Sequence, residues 1–124
     1  KTQQRRKTNT QINNPVAIAK NVTIGNQTTI GPYTVLGPNI TIGNNATIKN
    51  TIILAETQID DQAQINDAII GEAVHIGKKT HIQKGCIIGD HARIKDNITL
   101  PPETSICPAT EVAENPQTAS CKQT

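Results

Sequence analysis

An aliphatic residue recurs at nearly every sixth position along this chain. The series runs Ile12, Ile18, Ile24, Ile30, Leu36, Ile42, Ile48, Ile53, Ile59, Ile65, Ile70, Ile76, Ile82, Ile88, Ile94, Leu100, Ile106 and Val112. A helix repeats every 3.6 residues, so a spacing of six held from residue 12 to residue 112 excludes one and calls for short strands separated by corners. The dominance of β-branched isoleucine points the same way. Two residues before most members sits a small or β-branched side chain: Val16, Val22, Thr28, Thr34, Ile40 and Ala46, then Ala63, Ala68, Val74, Thr80, Cys86 and Ala92. Residues two apart on a strand share a face, so both sets point inward. Glycine follows the aliphatic at positions 25, 31, 37, 43, 71, 77 and 89, seven of the chain's eight. We expect these glycines to take positive φ at the bends, and Asn26, Asn44, Asn45, Asn66 and Asn97 to adopt left-handed dihedrals beside them.

Three hexads close one triangular coil, which predicts an all-β solenoid of six coils: 12/18/24, 30/36/42, 48/53/59, 65/70/76, 82/88/94 and 100/106/112. The two shortened spacings, 48 to 53 and 65 to 70, then fall on one edge in neighbouring coils. With coils about 4.8 Å apart, six make a prism roughly 29 Å long. Solenoid ends expose strand edges that need covers. Pro101, Pro102 and Pro108 cannot donate to another layer, and residues 113–124 are expected to drape over that end. Residues 1–11 carry no repeat and read as a basic linker ahead of a domain over 12–112.

Residues just before each inward aliphatic point outward and can be compared face by face. The first face shows Gln11, Thr29, Thr47, Gln64, His81 and Thr99; the third shows Thr23, Thr41, Gln58, His75, Arg93 and Glu111. The second shows Ala17, Val35, Ile52, Ile69, Ile87 and Ser105, four consecutive large aliphatics on an outer surface. Such a stripe marks an interface with another subunit, domain or terminal segment. The alternative is that these residues serve strand propensity alone.

Other constellations point to structure rather than chemistry. A formal charge of +2 and one aromatic residue, Tyr33, leave no basis for nucleic-acid binding by charge or stacking, and no apolar run reaches membrane-spanning length. Lys78, Lys79, Lys84, Arg93 and Lys95 form a basic cluster, but Asp61, Lys78 and Asp96 fall at equivalent corners of successive coils and read as an alternating-charge ladder. His75, His81 and His91 diverge around the prism, whereas a catalytic metal needs three convergent ligands, so no metal site is expected. Cys86 takes an inward slot and reads as a buried thiol. Cys86, Cys107 and Cys121 fit no disulfide framework or zinc motif and suit a reducing cytoplasm. The chain contains no methionine, so it is expected to be a processed product or a piece of something longer.

The hexads resemble the hexapeptide-repeat family, whose fold is the left-handed parallel β-helix; the handedness is implied by that likeness alone. Many relatives are acyltransferases with a histidine general base, which would make His75 or His81 the base here, in sites between subunits. The hexads run without an insertion, so no lid or pantetheine-binding loop is visible.

A more specific resemblance lies in T-I-G-P-Y-T-V-L-G-P-N-I-T-I-G-N-N-A-T-I-K-N-T-I-I-L (29–54), D-A-I-I-G-E-A-V-H-I-G (67–77) and D-N-I-T-L-P-P-E-T-S-I-C-P (96–108). With their shortened N-T-I-I and D-A-I-I hexads and closing N-I-T-L-P-P, these are similar to the carboxyl-terminal domain of sugar-1-phosphate nucleotidyltransferases of the mannose-1-phosphate guanylyltransferase and glucose-1-phosphate thymidylyltransferase type. That likeness implies a cytoplasmic homo-oligomer in which a separate α/β domain does the chemistry. There a G-x-G-T-R loop would hold the nucleoside triphosphate and carboxylates would hold Mg²⁺. The loop is absent here, so no catalytic or cofactor-binding residue carries over. The prism would supply oligomer contacts and docking for the catalytic domain through Val35, Ile52, Ile69 and Ile87. Some archaeal relatives also have acetyltransferase activity in this domain.

Overall fold

The computed structural model describes residues 5–6 and 10–115, which wind into a parallel β-solenoid with three flat faces. The first face stacks Gln11–Ile12, Thr29–Ile30, Thr47–Lys49, Gln64–Asn66, His81–Ile82 and Thr99–Leu100. The second stacks Val16–Ile18, Thr34–Leu36, Ile52–Ile53, Ile69–Ile70, Ile87–Ile88 and Ser105–Ile106. The third runs from Thr23–Ile24 through Thr41–Ile42, Gln58–Ile59, His75–Ile76 and Arg93–Ile94 to Glu111–Val112. Every pairing is parallel and in register, so the predicted columns hold: Ile30, Ile48, Ile65, Ile82 and Leu100 on one face, Leu36, Ile53, Ile70, Ile88 and Ile106 on the next.

These columns fill the axis. From Ile24 to Leu100 the column residues are at most 1% exposed. Fully burying one such side chain is worth about 1.5–3 kcal/mol, one part of what offsets the ordering of its short strand and corner. The small residues two positions earlier complete the core, with Val22, Ala46, Ala63, Val74 and Ala92 all buried. Threonines in the same slots tie coils together. Thr57 Oγ1 donates to the Gly71 carbonyl at 2.8 Å and accepts the Val74 N–H at 3.2 Å, and Thr28 makes the same pair of bonds to Gly43 and Ala46.

The corners work differently from the expectation. Of the eight glycines only Gly31 and Gly85 have positive φ. The left-handed residue lies three places after the column aliphatic, as in Asn45, Gln62, Lys79 and Asn97, and two places after it in the shortened hexads, at Asn50 and Asp67. Side-chain type hardly matters there: Tyr33, Ala73, His91 and Glu103 all comply. A left-handed dihedral costs an L-residue roughly 1–2 kcal/mol. It also turns the N–H along the prism axis, so that Lys79 donates to Asp61 O at 3.0 Å, Asn97 to Lys78 O at 2.8 Å and Ala73 to Ala55 O at 2.9 Å. Asn45 and Asn97 take the expected dihedral; Asn26, Asn44 and Asn66 do not.

The glycines after the aliphatics are required by proximity. A Cβ on Gly77 would lie 2.5 Å from Asp96 Oδ1, and one on Gly89 would lie 2.5 Å from Pro108 N. Here the next coil crosses directly over the backbone and leaves no room for a side chain.

The ends also differ. Arg5–Arg6, expected in a linker, forms a further strand on the third face, pairing with Thr23–Ile24. The parallel ladder is made of backbone groups, so it can extend past the aliphatic repeat. At the other end Asn115 Oδ1 accepts the Thr99 N–H at 2.8 Å, occupying a donor that another coil would otherwise take. The rest of the expected cover, residues 116–124, lies outside the described residues.

Candidate functional site

Strict register turns single outward positions into continuous surfaces. On the second face Ala17, Val35, Ile52, Ile69, Ile87 and Ser105 align one above another. Val35, Ile52, Ile69 and Ile87 are 42–50% exposed. Sequence reasoning missed two flanking members. Tyr33, at the corner leading onto this face, and Leu54, at the corner leaving it, complete the set of exposed large hydrophobic residues among the described ones. Leu54 was detectable, because it stands where Gly37 and Gly71 stand in the adjacent coils. One face therefore carries all the large exposed apolar surface described, and the other two are polar.

The third face holds the one histidine paired with a carboxylate among the described residues. His75 Nε2 lies 3.1 Å from Asp60 Oδ2, and Gln58 Nε2 donates to Asp60 Oδ1 at 3.1 Å. If Nε2–H donates to the carboxylate, Nδ1 is left with the lone pair. Beside the pair a notch of about 350 Å³ opens over Gly77, walled by His75, Arg93, Lys95 and Asp96. Lys95 is held by Glu111 at 3.2 Å. Asp60 was not singled out from the sequence, because it lies one coil below His75 and fifteen residues away.

His81 projects from the first face and His91 sits at the corner between the second and third, so the three histidines diverge as expected. Among the described residues no group of three potential metal ligands converges. Asp61, Lys78 and Asp96 do share one corner column, but the contact is not an ion pair. Asp96 Oδ1 accepts the backbone N–H of Lys78 at 2.8 Å, Asp61 Oδ1 that of Asn44 at 2.8 Å, and Asn44 Oδ1 that of Asn26 at 2.7 Å. A neutral asparagine serves as well as a carboxylate because the partner is an amide.

Cys86 is buried as expected, its S–H donating to Pro101 O at 3.2 Å, and burial pushes its thiol pKa up. A raised pKa disfavours the thiolate and with it nucleophilic chemistry. Cys107 corrects the cysteine reading, since it is disulfide-bonded. Its spacing matches no familiar framework, and the bond removes the support that cysteine usage lent to a reducing compartment.

Residues 12–121 match the family described as the GMPPB C-terminal domain. The chain belongs to that family. No curated protein sequence matches it significantly. Solved structures share its fold. A hexapeptide transferase family protein from Anaplasma phagocytophilum superposes with a TM-score of 0.71 at 20% identity, over 86% of this chain and 70% of that one. The acetyltransferase domain of PglB from Neisseria gonorrhoeae, in complex with acetyl coenzyme A, gives 0.71 at 14% identity, over 82% and 53%. A UDP-N-acetylglucosamine acyltransferase from Bacteroides fragilis gives 0.53 at 17%, over 88% and 56%. The chain thus spans between about half and 70% of those structures. At these identities the likeness establishes the fold, the left-handed hexapeptide β-helix that the sequence resemblance implied. As a GMPPB C-terminal domain, the chain presents one apolar face, one face with a carboxylate–histidine pair and one polar face.

Proposed function

We propose that this domain assembles and docks a sugar-1-phosphate nucleotidyltransferase: the nucleotide-binding domain of that enzyme does the chemistry, and the prism holds it and its sister subunits through the second face. The observation that carries the reading is the stripe Val35–Ile52–Ile69–Ile87, widened by Tyr33 and Leu54, on a member of the GMPPB C-terminal domain family. A contiguous apolar patch of a few hundred Å² has no role on an isolated polar prism and is stabilised when covered. The solenoid is a rigid mount, since each coil is bonded to its neighbours on all three faces.

The test is the double variant Ile52→Lys/Ile69→Lys. Light scattering and binding to the catalytic domain should both show lost association, while circular dichroism stays that of the parent, because neither side chain enters the core. A variant that matches the parent in mass, binding and circular dichroism would refute the role of the stripe.

One observation favours a second reading, an acyltransferase. In the Asp60–His75 pair the carboxylate can orient the ring and leave Nδ1 to accept a proton from an attacking hydroxyl or amine. The PglB domain of the same fold was seen with acetyl coenzyme A. Calorimetry with acetyl coenzyme A separates the two readings: saturable binding that His75→Ala abolishes would favour the acyltransferase.

A further inference from the structure

We infer that the open groove on the first face is a binding site for a phosphorylated sugar, with the phosphate between Lys79 and His81 and the hydroxyls along an amide ladder beneath them. The groove encloses about 580 Å³ and is lined by the outward side chains of Asn45, Gln62, Gln64, Lys79, His81 and Thr99. Register builds it. Gln64, His81 and Thr99 stack in one column. Asn45, Gln62 and Lys79 stack at the adjoining left-handed corners.

Two observations point to a ligand. The first is the lining chemistry. Every lining side chain named can donate a hydrogen bond, and none carries a negative charge. The nearest carboxylates, Asp61 and Asp96, sit one corner position away, and the Oδ1 of each is already bonded to a backbone amide. The second is that these six side chains make no hydrogen bond or ion pair to any described residue, whereas on the third face Gln58, Asp60, His75, Lys95 and Glu111 are paired among themselves.

The geometry suits one anion with a polyol attached. Lys79 at its left-handed corner and His81 on the strand that follows flank the inward Thr80, so both cationic side chains border the same groove and can share one tetrahedral phosphate. Gln62 and Gln64 lie one coil below, about 4.8 Å away, and their amides can both donate to and accept from ring hydroxyls. Choosing a sugar phosphate among anions rests on the proposed function; the anion site itself does not.

The experiment is an amide-resolved NMR titration of the full chain with three probes: glucose 1-phosphate, inorganic phosphate and glucose. Glucose 1-phosphate should shift the Gln62, Gln64, Lys79 and His81 amides saturably with a dissociation constant of about 1 mM, inorganic phosphate about tenfold more weakly, and glucose hardly at all. Lys79→Ala should weaken the first two by about tenfold, while Arg93→Ala on the third face leaves them unchanged. Gln62→Ala/Gln64→Ala should erase only the advantage of the sugar phosphate. Absence of saturable shifts, equal binding of glucose 1-phosphate and inorganic phosphate, or shifts centred on the third face would each overturn the inference. The readout is the isolated domain, so failure of docking through Ile52 and Ile69 leaves the result intact.

Discussion

Asp96 closes over Gly77: its Oδ1 takes the N–H of Lys78 at 2.8 Å in space that a Cβ on Gly77 would enter at 2.5 Å. The same relation joins Asp90 to Gly71 one corner away, where Oδ1 takes the Glu72 N–H at 2.8 Å. Glycine and the carboxamide or carboxylate above it therefore form one corner device, in which the missing side chain below makes room for the acceptor.

The device separates two substitutions. Gly77→Ala must push the Asp96 backbone away and should cost about 1–3 kcal/mol, as overpacking does. Asp96→Ala should cost about 1 kcal/mol by orphaning the Lys78 amide, and Asp96→Asn should stay within about 0.5 kcal/mol, since Asn44 does the same work three coils earlier. Urea denaturation of the three variants at neutral pH checks the order.

Inside the prism, the Thr57 hydroxyl closes a bond pair that backbone geometry leaves open. Its donation to Gly71 O and its acceptance from Val74 N both occur away from water. Thr57→Val keeps the volume and loses both bonds, so it should destabilise the domain by about 1–3 kcal/mol, and Thr57→Ser should cost less because the hydroxyl remains. Thermal unfolding followed by far-ultraviolet circular dichroism distinguishes the two, and equal melting temperatures for both would show that hydroxyl bridging adds nothing.

The columns were legible because one period dictated them: Ile24, Ile42, Ile59, Ile76 and Ile94 align through nothing but spacing and burial. The apolar face followed, since outward parity is fixed once inward parity is known. Corners were less legible. The left-handed position accepts Tyr33, Ala73, Lys79 and His91 alike because what holds it is a backbone bond to the coil below, which writes no side-chain signature. The glycine signal was correctly seen and wrongly explained, as local freedom and close approach both select for a missing Cβ. Arg5–Arg6 escaped for the reason that hid the corners: pairing there needs only main chain. The His75–Asp60 pair required a diagonal contact between coils, two columns apart, which spacing along one column does not reveal.

The last prediction concerns alkaline pH. Burial raises the Cys86 thiol pKa above its ordinary value of 9.0, more than the opposing hydrogen bonds from Thr104, Gln83 and Glu103 lower it. An acid whose folded pKa is raised keeps its proton longer in the native state than in the unfolded one. Below pH 9.0 both states hold the proton and the neutral thiol contributes its full packing; above it the unfolded chain ionises first, and stability falls until the folded pKa is passed. Cys86→Ala lacks this titration. The parent should therefore lose stability as the pH rises above 9.0, while Cys86→Ala, less stable at neutral pH through its lost volume, should show a flatter profile there. Urea midpoints measured at several pH values, with the Cys107 disulfide kept intact, give the two curves. Parallel curves would mean that the thiol ionises in the folded prism as easily as in the open chain.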